Sequence, residues 1–384
     1  MKHQHDLRLN RRQWLLATTV ALTGCGGGSG NVTGLLPGTG GTGIGVQGTI
    51  SGFGSVIVNN TKFDDSAASV YLDGIKLASA DLRVGMVASI EGTVDSAGTS
   101  GSASRIDVWS IAKGLLKFAD ISGSNFSMVG MTFTTDVATS FEGMTNLAAI
   151  ASDTPIAVWG VQTSDNARAW KATRVKVLTA TPATIVSTGL FVAGTQTLND
   201  MHLSGSAASG FADMQLLRVE GVFDSATNTL AVSKAIAMAA AQGIASSGLV
   251  EIEGAVTAYT SATRFSVGAI SVDASKALVV SASQTVSANS SVEVIGSMQN
   301  GVLIASKVEI KGGDAAVQID ITGVVESFAG VDAFEVRGQR CDASKASVLS
   351  GMLSNLRKGT KVRVIGTSEG HETLSVKSIY IDVP

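Results

Sequence analysis

The stretch Val292-Glu293-Val294-Ile295-Gly296 decides the fold, because five versions of this pattern occur along the chain. In each version the first and third residues are apolar and the fifth is glycine. The other four are Ala88-Ser89-Ile90-Glu91-Gly92, Ile156-Ala157-Val158-Trp159-Gly160, Leu217-Arg218-Val219-Glu220-Gly221 and Val362-Arg363-Val364-Ile365-Gly366. Side chains alternate between the two faces of a β-strand, so the first and third residues are predicted to face a core. The same alternation predicts that Glu293 and Arg363 face water. The glycine is expected to allow a bend or a bulge.

Longer segments repeat around this pattern. Asp273-Ala274-Ser275-Lys276-Ala277 recurs as Asp342-Ala343-Ser344-Lys345-Ala346. We interpret the repeated Asp as the start of an Asx-turn or as a helix cap, with a calcium ligand as the alternative. In this alignment Cys341 takes the place of Val272. It is therefore expected to pack in the core, and a reactive thiol is the alternative.

These repeats predict an all-β chain of tandem small β-barrel modules on a flexible N-terminal tether. Each module has room for five or six short strands, in an order similar to an OB-like barrel. The predicted modules span residues 46–110, 111–179, 180–243, 244–313 and 314–384. The third is degenerate, and its opening strand begins near Ile185 or earlier. A module of this size is marginally stable alone, so contacts between neighbouring modules are expected to help.

Residues 1–24 have the composition of a bacterial signal peptide, with basic residues before the apolar stretch Trp14–Leu22. That stretch is too short to span a bilayer, which needs about 20 apolar residues. Leu22-Thr23-Gly24-Cys25 resembles a lipobox, and the resemblance implies that Cys25 carries a diacylglycerol. An ordinary secretory signal with a chance cysteine is the alternative. Asn10–Leu15 resembles a twin-arginine signal, so two export routes stay open.

Residues 25–45 are rich in glycine and are expected to form a flexible, lipidated linker. Gly26 and Gly27 stand where inner-membrane lipoproteins carry a retaining Asp, so an outer-membrane lipoprotein is favoured. The chain has a net charge of −3, and loss of four basic and one acidic residue with the leader would leave −6. Nucleic-acid binding requires a basic face, so no nucleic-acid partner is expected.

Three segments of the first module carry a family resemblance. They are Gly48–Asn59, Leu82–Val87 and Ile90–Asp95. These residues resemble the bacterial domain of unknown function numbered 5666. The first module fits best, the fourth and fifth fit well, and the second and third fit only through their strand pattern. The resemblance implies tandem β modules on exported, often lipid-anchored proteins. It implies no known activity and supplies no catalytic residue.

The residues that usually carry chemistry are few and scattered. Outside the leader, the histidines are His202 and His371. We interpret His202 as a strand residue and His371 as a solvated turn residue, each with a metal ligand as the alternative. The glycines of Gly40–Gly45 lack the following helix that a dinucleotide site requires. The sequence therefore predicts a non-enzyme with no catalytic residue, no metal and no cofactor.

Three tryptophans mark a candidate ligand surface. Trp109 ends the first module, and Trp159 and Trp170 lie in the second. Trp159 occupies a position where the other copies have Glu or Ile, so it is expected to be exposed at a junction between modules. Packing between modules is one use for these rings, and a stacking platform for sugars is the other.

Together these observations predict a non-enzymatic, envelope-anchored lipoprotein with a structural or adhesive-type binding role. The alternative is a binding module for an envelope glycan or a small ligand, on a barrel face or at the junction of Trp109 and Trp159. A hydrolase with scattered site residues is the third and weakest hypothesis. The expected partners are the membrane, reached through the lipid anchor, and an envelope protein or glycan.

Overall fold

The structure is a computed structural model that describes residues 42–95, 98–119, 124–164, 166–238, 248–281, 284–311, 318–367 and 372–382. The predicted signal peptide, the lipobox with Cys25 and His371 lie outside these residues. Strands joined by short turns make up almost all of the described chain. No helix within it is long and apolar enough to cross a membrane.

The first barrel shows how the predicted strands pair. Its strands are β1 (Thr42–Phe53), β2 (Val56–Val58), β3 (Thr61–Asp64), β4 (Ser69–Leu72), β5 (Ile75–Leu77), β6 (Val87–Val94) and β7 (Ser100–Val108). β1 pairs antiparallel with β2 and β6, and β2 pairs antiparallel with β3. β7 closes the barrel, because it runs antiparallel to β6 and parallel to β3. The order β1-β2-β3-β7-β6 and back to β1 is that of an OB-like barrel.

Four further barrels repeat this order. The second contains β8 (Ala112–Leu115), β9 (Phe118–Ala119), β10 (Asn125–Met128), β11 (Met131–Thr134), β12 (Ser140–Glu142), β13 (Pro155–Gln162) and β14 (Ala169–Val177). The third contains β15 (Ile185–Val192), β16 (Thr197–Leu198), β17 (Met201–Ser204), β18 (Leu216–Asp224) and β19 (Thr229–Ala237). The fourth contains β20 (Leu249–Ser261), β21 (Arg264–Val267), β22 (Ile270–Asp273), β23 (Leu278–Val280), β24 (Ser291–Gln299) and β25 (Val302–Ile310). The fifth contains β26 (Ile319–Gly330), β27 (Ala333–Val336), β28 (Gln339–Asp342), β29 (Ser347–Ser350), β30 (Lys361–Thr367) and β31 (Thr373–Ile381).

In each of these barrels the last strand runs antiparallel to the glycine-containing strand and parallel to the third barrel strand. The predicted all-β class of tandem, OB-like barrels is therefore confirmed. The third barrel opens at Ile185 with β15. Among its described residues a short 3₁₀ turn, Ser206–Ala208, stands where the first barrel has β4.

The first and third positions of the repeated pattern face the barrel cores, as predicted. All ten side chains are at most 1% exposed: Ala88, Ile90, Ile156, Val158, Leu217, Val219, Val292, Val294, Val362 and Val364. Burial of this kind contributes about 25 cal/mol per Å² of apolar surface. The second, third and fourth barrels each have a separate core, and the buried residues of the first and fifth barrels form one joint cluster.

The second position does not follow the prediction. Glu293 was expected to face water, and this is wrong, because it is only 8% exposed. Its carboxylate lies 2.5 Å from the ammonium of Lys311. Arg363, by contrast, keeps 35% of its side chain exposed while it pairs with Asp320. The prediction from alternating side chains assumes that one face of the strand is exposed to solvent. In the fourth barrel, side chains also cover the outer face, so Glu293 is buried there.

The glycine of each pattern sits at a β-bulge, inside the strand rather than at its end. The pairing register shifts just before Gly296, where Ile295 pairs with Lys307 and Gly296 with Ala305. A Cβ on Gly296 would lie 2.2 Å from the carbonyl oxygen of Ile304. The other four pattern glycines show the same shift and the same close carbonyl: Gly92, Gly160, Gly221 and Gly366. Glycine is required because the partner backbone occupies the space of a side chain.

The last residues of the predicted linker belong to the first barrel instead. β1 begins at Thr42, so residues 42–45 are strand and not tether. Ile44 is 3% exposed and Val46 is fully buried. β1 is hydrogen-bonded on both sides along this stretch, antiparallel to β6 and parallel to β20. The glycine-rich composition led to the prediction of a linker, although the apolar residues of this segment alternate as in a normal strand.

Two alignment-based predictions are confirmed. Cys341 is fully buried and pairs with Phe334, as Val272 pairs with Phe265. Burial raises the pKa of the Cys341 thiol well above its ordinary value, which disfavours the reactive thiolate. The repeated Asp starts an Asx-turn: the backbone N–H of Ser344 donates to the Asp342 carboxylate at 2.8 Å.

We expect Gly296→Ala to destabilise the protein by about 1–3 kcal/mol, because its methyl group would overlap the Ile304 carbonyl. Gly194→Ala is the matched control, since no atom lies within 4 Å of a Cβ at that glycine. Urea unfolding of the full chain measures both. Equal stability of the two variants would contradict the assignment of the bulge.

Candidate functional site

Strand pairing joins the barrels to one another. Residues 44–47 of β1 run parallel to residues 249–252 of β20, and residues 52–53 run parallel to residues 320–321 of β26. The first, fourth and fifth barrels thus share one hydrogen-bonded sheet. Val186 of the third barrel pairs with Lys113 of the second. The junctions between barrels are consequently part of the fold, and they bring residues from distant modules together.

Arg218 lies at the junction of the first and third barrels. Its side chain is fully buried, although the sequence pattern places it on the outer face of β18. The guanidinium Nε donates to the Ser110 carbonyl at 2.7 Å, and Nη2 lies 2.8 Å from the Asp73 carboxylate. Its central carbon is also 5.2 Å from the centre of the Trp109 ring. One cation therefore ties the first barrel to the third.

Arg174 makes an equivalent contact between the first two barrels. It is 2% exposed, and its Nη1 donates to the Val84 carbonyl at 2.8 Å. Its Nη2 pairs with Glu142, while Nε has no hydrogen-bond partner within the described residues. Burial lowers the pKa of Arg174, and the nearby Glu142 carboxylate opposes that shift.

A cleft of about 60 Å³ opens between the first four barrels. A water molecule needs roughly 10–15 Å³ on this scale, so the cleft has room for a small polar group or one edge of a ring. The first two barrels line one side: Gln47, Val87, Ser89, Trp109, Ile111, Gly160, Val161, Gln162 and Trp170. The third and fourth barrels line the other: Leu216, Met238, Glu253, Gly254, Ala255, Val267, Gly268 and Ala269.

Three polar side chains of this cleft stand out. Gln47 lies on β1, Gln162 on β13 and Glu253 on β20. Gln162 is only 8% exposed. No hydrogen bond between described residues involves any of the three side chains. Burial raises the pKa of Glu253, with nearby Lys311 opposing the shift. Gln47 and Glu253 are half-buried. Polar groups without a protein partner can bind a ligand or water, so all three are available to a molecule in the cleft.

A cluster of carboxylates borders the cleft on the fourth barrel. Glu253 pairs across the sheet with Glu293, and Glu251 lies two residues earlier on β20. Burial, with repulsion from Glu293, raises the pKa of Glu251 to about 7. This carboxyl group therefore holds its proton part of the time at neutral pH.

The three tryptophans occupy different environments. Trp109 and Trp170 line the cleft, whereas Trp159 does not. Trp159 is 3% exposed and packs with the core of the first and fifth barrels. Trp170 is 4% exposed, and its Nε1 donates to the Ala167 carbonyl at 2.9 Å. The expectation that Trp159 is exposed at a junction is wrong, because its ring is buried against residues of the first and fifth barrels, as the packing alternative implies. Trp170 lies in the core of the second barrel.

Other candidate residues stand apart from the cleft. His202 is an exposed residue of β17, as its strand interpretation predicts. Across the described ranges, no three His, Cys, Asp or Glu side chains converge as a metal site requires. Sequence reasoning missed Arg174 and Arg218. Each arginine stands between apolar residues of an alternating strand, and this could have indicated a buried cation. The same pattern is also expected of an arginine that faces solvent, so it did not identify the junctions.

Comparison with protein-family models finds a match for two of the repeated units. No curated protein matched the chain. The family model of a domain of unknown function, DUF5666, matches residues 46–107 and again residues 119–176. The second match corrects the expectation that the second module resembles the family only in strand pattern. The two matched segments lie within the first and second barrels, so these two barrels match the DUF5666 family model in tandem.

Proposed function

We propose that this protein is a non-enzymatic lipoprotein of the cell envelope with a structural or adhesive-type binding role. The single observation that carries the proposal is the way in which buried arginines fix the barrels to one another. Arg218 joins the third barrel to the first through a backbone carbonyl and a carboxylate, and Arg174 joins the second barrel to the first through the Val84 carbonyl. Such junctions favour a rigid body that presents fixed surfaces, which suits a scaffold or an adhesive module.

The sequence at the N-terminus supports the anchor. Leu22-Thr23-Gly24-Cys25 resembles a lipobox, and the glycine-rich stretch that follows suits a tether. Acyl chains on Cys25 would contribute about 0.8 kcal/mol per buried CH₂, and two or more chains hold a protein stably on a bilayer.

Changing the predicted lipidation site tests the anchor. Cys25→Ser should move the protein from the membrane fraction to the soluble fraction, because the attachment would be covalent lipid. Cys341→Val is the control, since that cysteine is buried in the fifth barrel and should leave fractionation unchanged. A Cys25→Ser protein that still sediments with membranes in high salt would contradict the proposal.

A second candidate function is binding of an envelope glycan in the four-barrel cleft. The half-buried Trp109 offers aromatic surface there, and Gln47, Gln162 and Glu253 offer hydrogen-bonding groups. Sugars are bound by this combination of a ring and several polar groups. The size of the cleft suits one edge of a sugar ring.

Titration of the Cys25→Ser chain with oligomers of N-acetylglucosamine tests this candidate by tryptophan fluorescence. Loss of one hydrogen bond in Gln162→Ala should weaken binding by about tenfold, or about 1.4 kcal/mol. Gln299→Ala is the control, because Gln299 is exposed on β24. The candidate fails if fluorescence does not change, or if both variants weaken binding equally.

A further inference from the structure

Glu253 is the one charged side chain among the described residues that line the four-barrel cleft. It lies on β20 next to Ile252, whose side chain is fully buried in the core of the fourth barrel. Glu253 therefore projects from the outer face of that barrel, where it is half-buried. Within the described chain its carboxylate forms no ion pair and accepts no hydrogen bond. The charge of the cleft is thus set by a single carboxylate without a counter-ion.

The two lysines that act on Glu253 are held by other carboxylates. Lys311 follows the closing strand of the fourth barrel, and its ammonium lies 2.5 Å from the carboxylate of Glu293. Lys171 belongs to the second barrel, and its ammonium lies 3.1 Å from the carboxylate of Asp136. Burial raises the pKa of Glu253, the two lysines oppose that shift, and Glu293 reinforces it. The nearby lysines therefore do not neutralise Glu253.

Negative charge is in excess along this face of the fourth barrel. Glu293 pairs across the sheet with Glu253 on one side and with Glu309 on the other. Glu309 has a lysine of its own, because Lys307 lies 2.8 Å from its carboxylate. In the described chain, Glu251 and Glu253 have no lysine or arginine within ion-pair distance. A half-buried carboxylate without a counter-charge is costly, and a bound cation would relieve that cost.

Two buried neutral side chains also face the cleft without a partner. Ser89 and Gln162 line it, and each is only 8% exposed. Neither side chain has a hydrogen-bond partner within the described residues. Ser89 pairs across the first barrel with Gln47, so these two side chains lie next to each other. Buried polar groups normally have partners, and these groups point to a polar ligand independently of the carboxylate.

We propose that the cleft binds a protonated amino group of its ligand, which makes an amino sugar with a free amine the ligand class. The inference rests on the proposed binding of a glycan in this cleft and states which kind of glycan it is. An ammonium pairs with the Glu253 carboxylate and has three hydrogens to donate. The side-chain oxygens of Ser89 and Gln162 are further acceptors in the same cleft. The half-buried Trp109 supplies apolar surface for the sugar ring.

An N-acetylated sugar suits the cleft less well. Acetylation removes the positive charge, so such a sugar leaves Glu253 without a counter-ion. It also adds an acetyl group to a space of about 60 Å³, which has room for a small polar group or one edge of a ring. Charge-assisted hydrogen bonds are roughly twice as strong as neutral ones, so the free amine should be preferred by about tenfold.

Titration of the Cys25→Ser chain with glucosamine oligomers and with N-acetylglucosamine oligomers of equal length tests the inference by tryptophan fluorescence. Just below neutral pH, where the amine is protonated, the glucosamine oligomer should bind about tenfold more tightly. Glu253→Gln removes the charge and keeps the shape of the side chain, so this preference should disappear. Asp332→Asn is the charge control, because Asp332 lies in an exposed turn of the fifth barrel. It should keep the full preference.

Three results would overturn the inference. Equal affinity of the Cys25→Ser chain for the two oligomers would do so and would leave the proposed glycan binding in place. A preference for the amine that survives in Glu253→Gln would do so as well, because general attraction to an acidic surface then explains the result. Binding of neither oligomer would overturn both this inference and the glycan proposal. Unchanged circular dichroism and thermal midpoint would show that each variant is folded.

Discussion

The close approach of a partner carbonyl to the glycine of each repeated pattern is the constraint on which the fold depends. At Gly92, Gly160, Gly221, Gly296 and Gly366, that oxygen occupies the place of a side chain. The resulting bulge adds one residue to the partner strand and increases the local twist. Strong local twist and bending allow so few strands to curl into a closed barrel. Five glycines in equivalent places therefore give five equivalent barrels.

Because each barrel is closed, neighbouring barrels contact one another through their outer faces. Where that face carries a cation, as at Arg218, the neighbouring barrel supplies a carboxylate and a carbonyl. Burying such a charge is costly unless it is paired and hydrogen-bonded, so its partners must be held in place. These contacts explain why residues far apart in the sequence line one cleft and why Trp159 is buried.

The features that sequence alone predicted are local ones. The alternation of side chains predicts that Val292 and Val294 are buried, and the repeated glycine predicts the bulge. Both features depend only on the geometry of one pair of strands. The alignment of Cys341 with Val272 works for the same reason. Burial of Arg218 and Trp159 could not be predicted, since it depends on which barrel covers an outer face. Burial of Glu293 depends on its pairing with Lys311, 18 residues later in the same barrel. The glycine-rich composition of residues 42–45 predicted a flexible linker, but these residues form the start of β1.

The central claim, that a buried arginine locks neighbouring barrels together, is tested most directly by urea unfolding of Arg218→Met beside Arg363→Met. The two residues hold the same place in their barrels, but only Arg218 is fully buried between barrels. Arg218→Met should cost about 3–5 kcal/mol, because it leaves Asp73 without its cation. Arg363→Met, at a partly exposed pair, should cost at most about 1 kcal/mol. Equal, small losses in both variants would contradict the account.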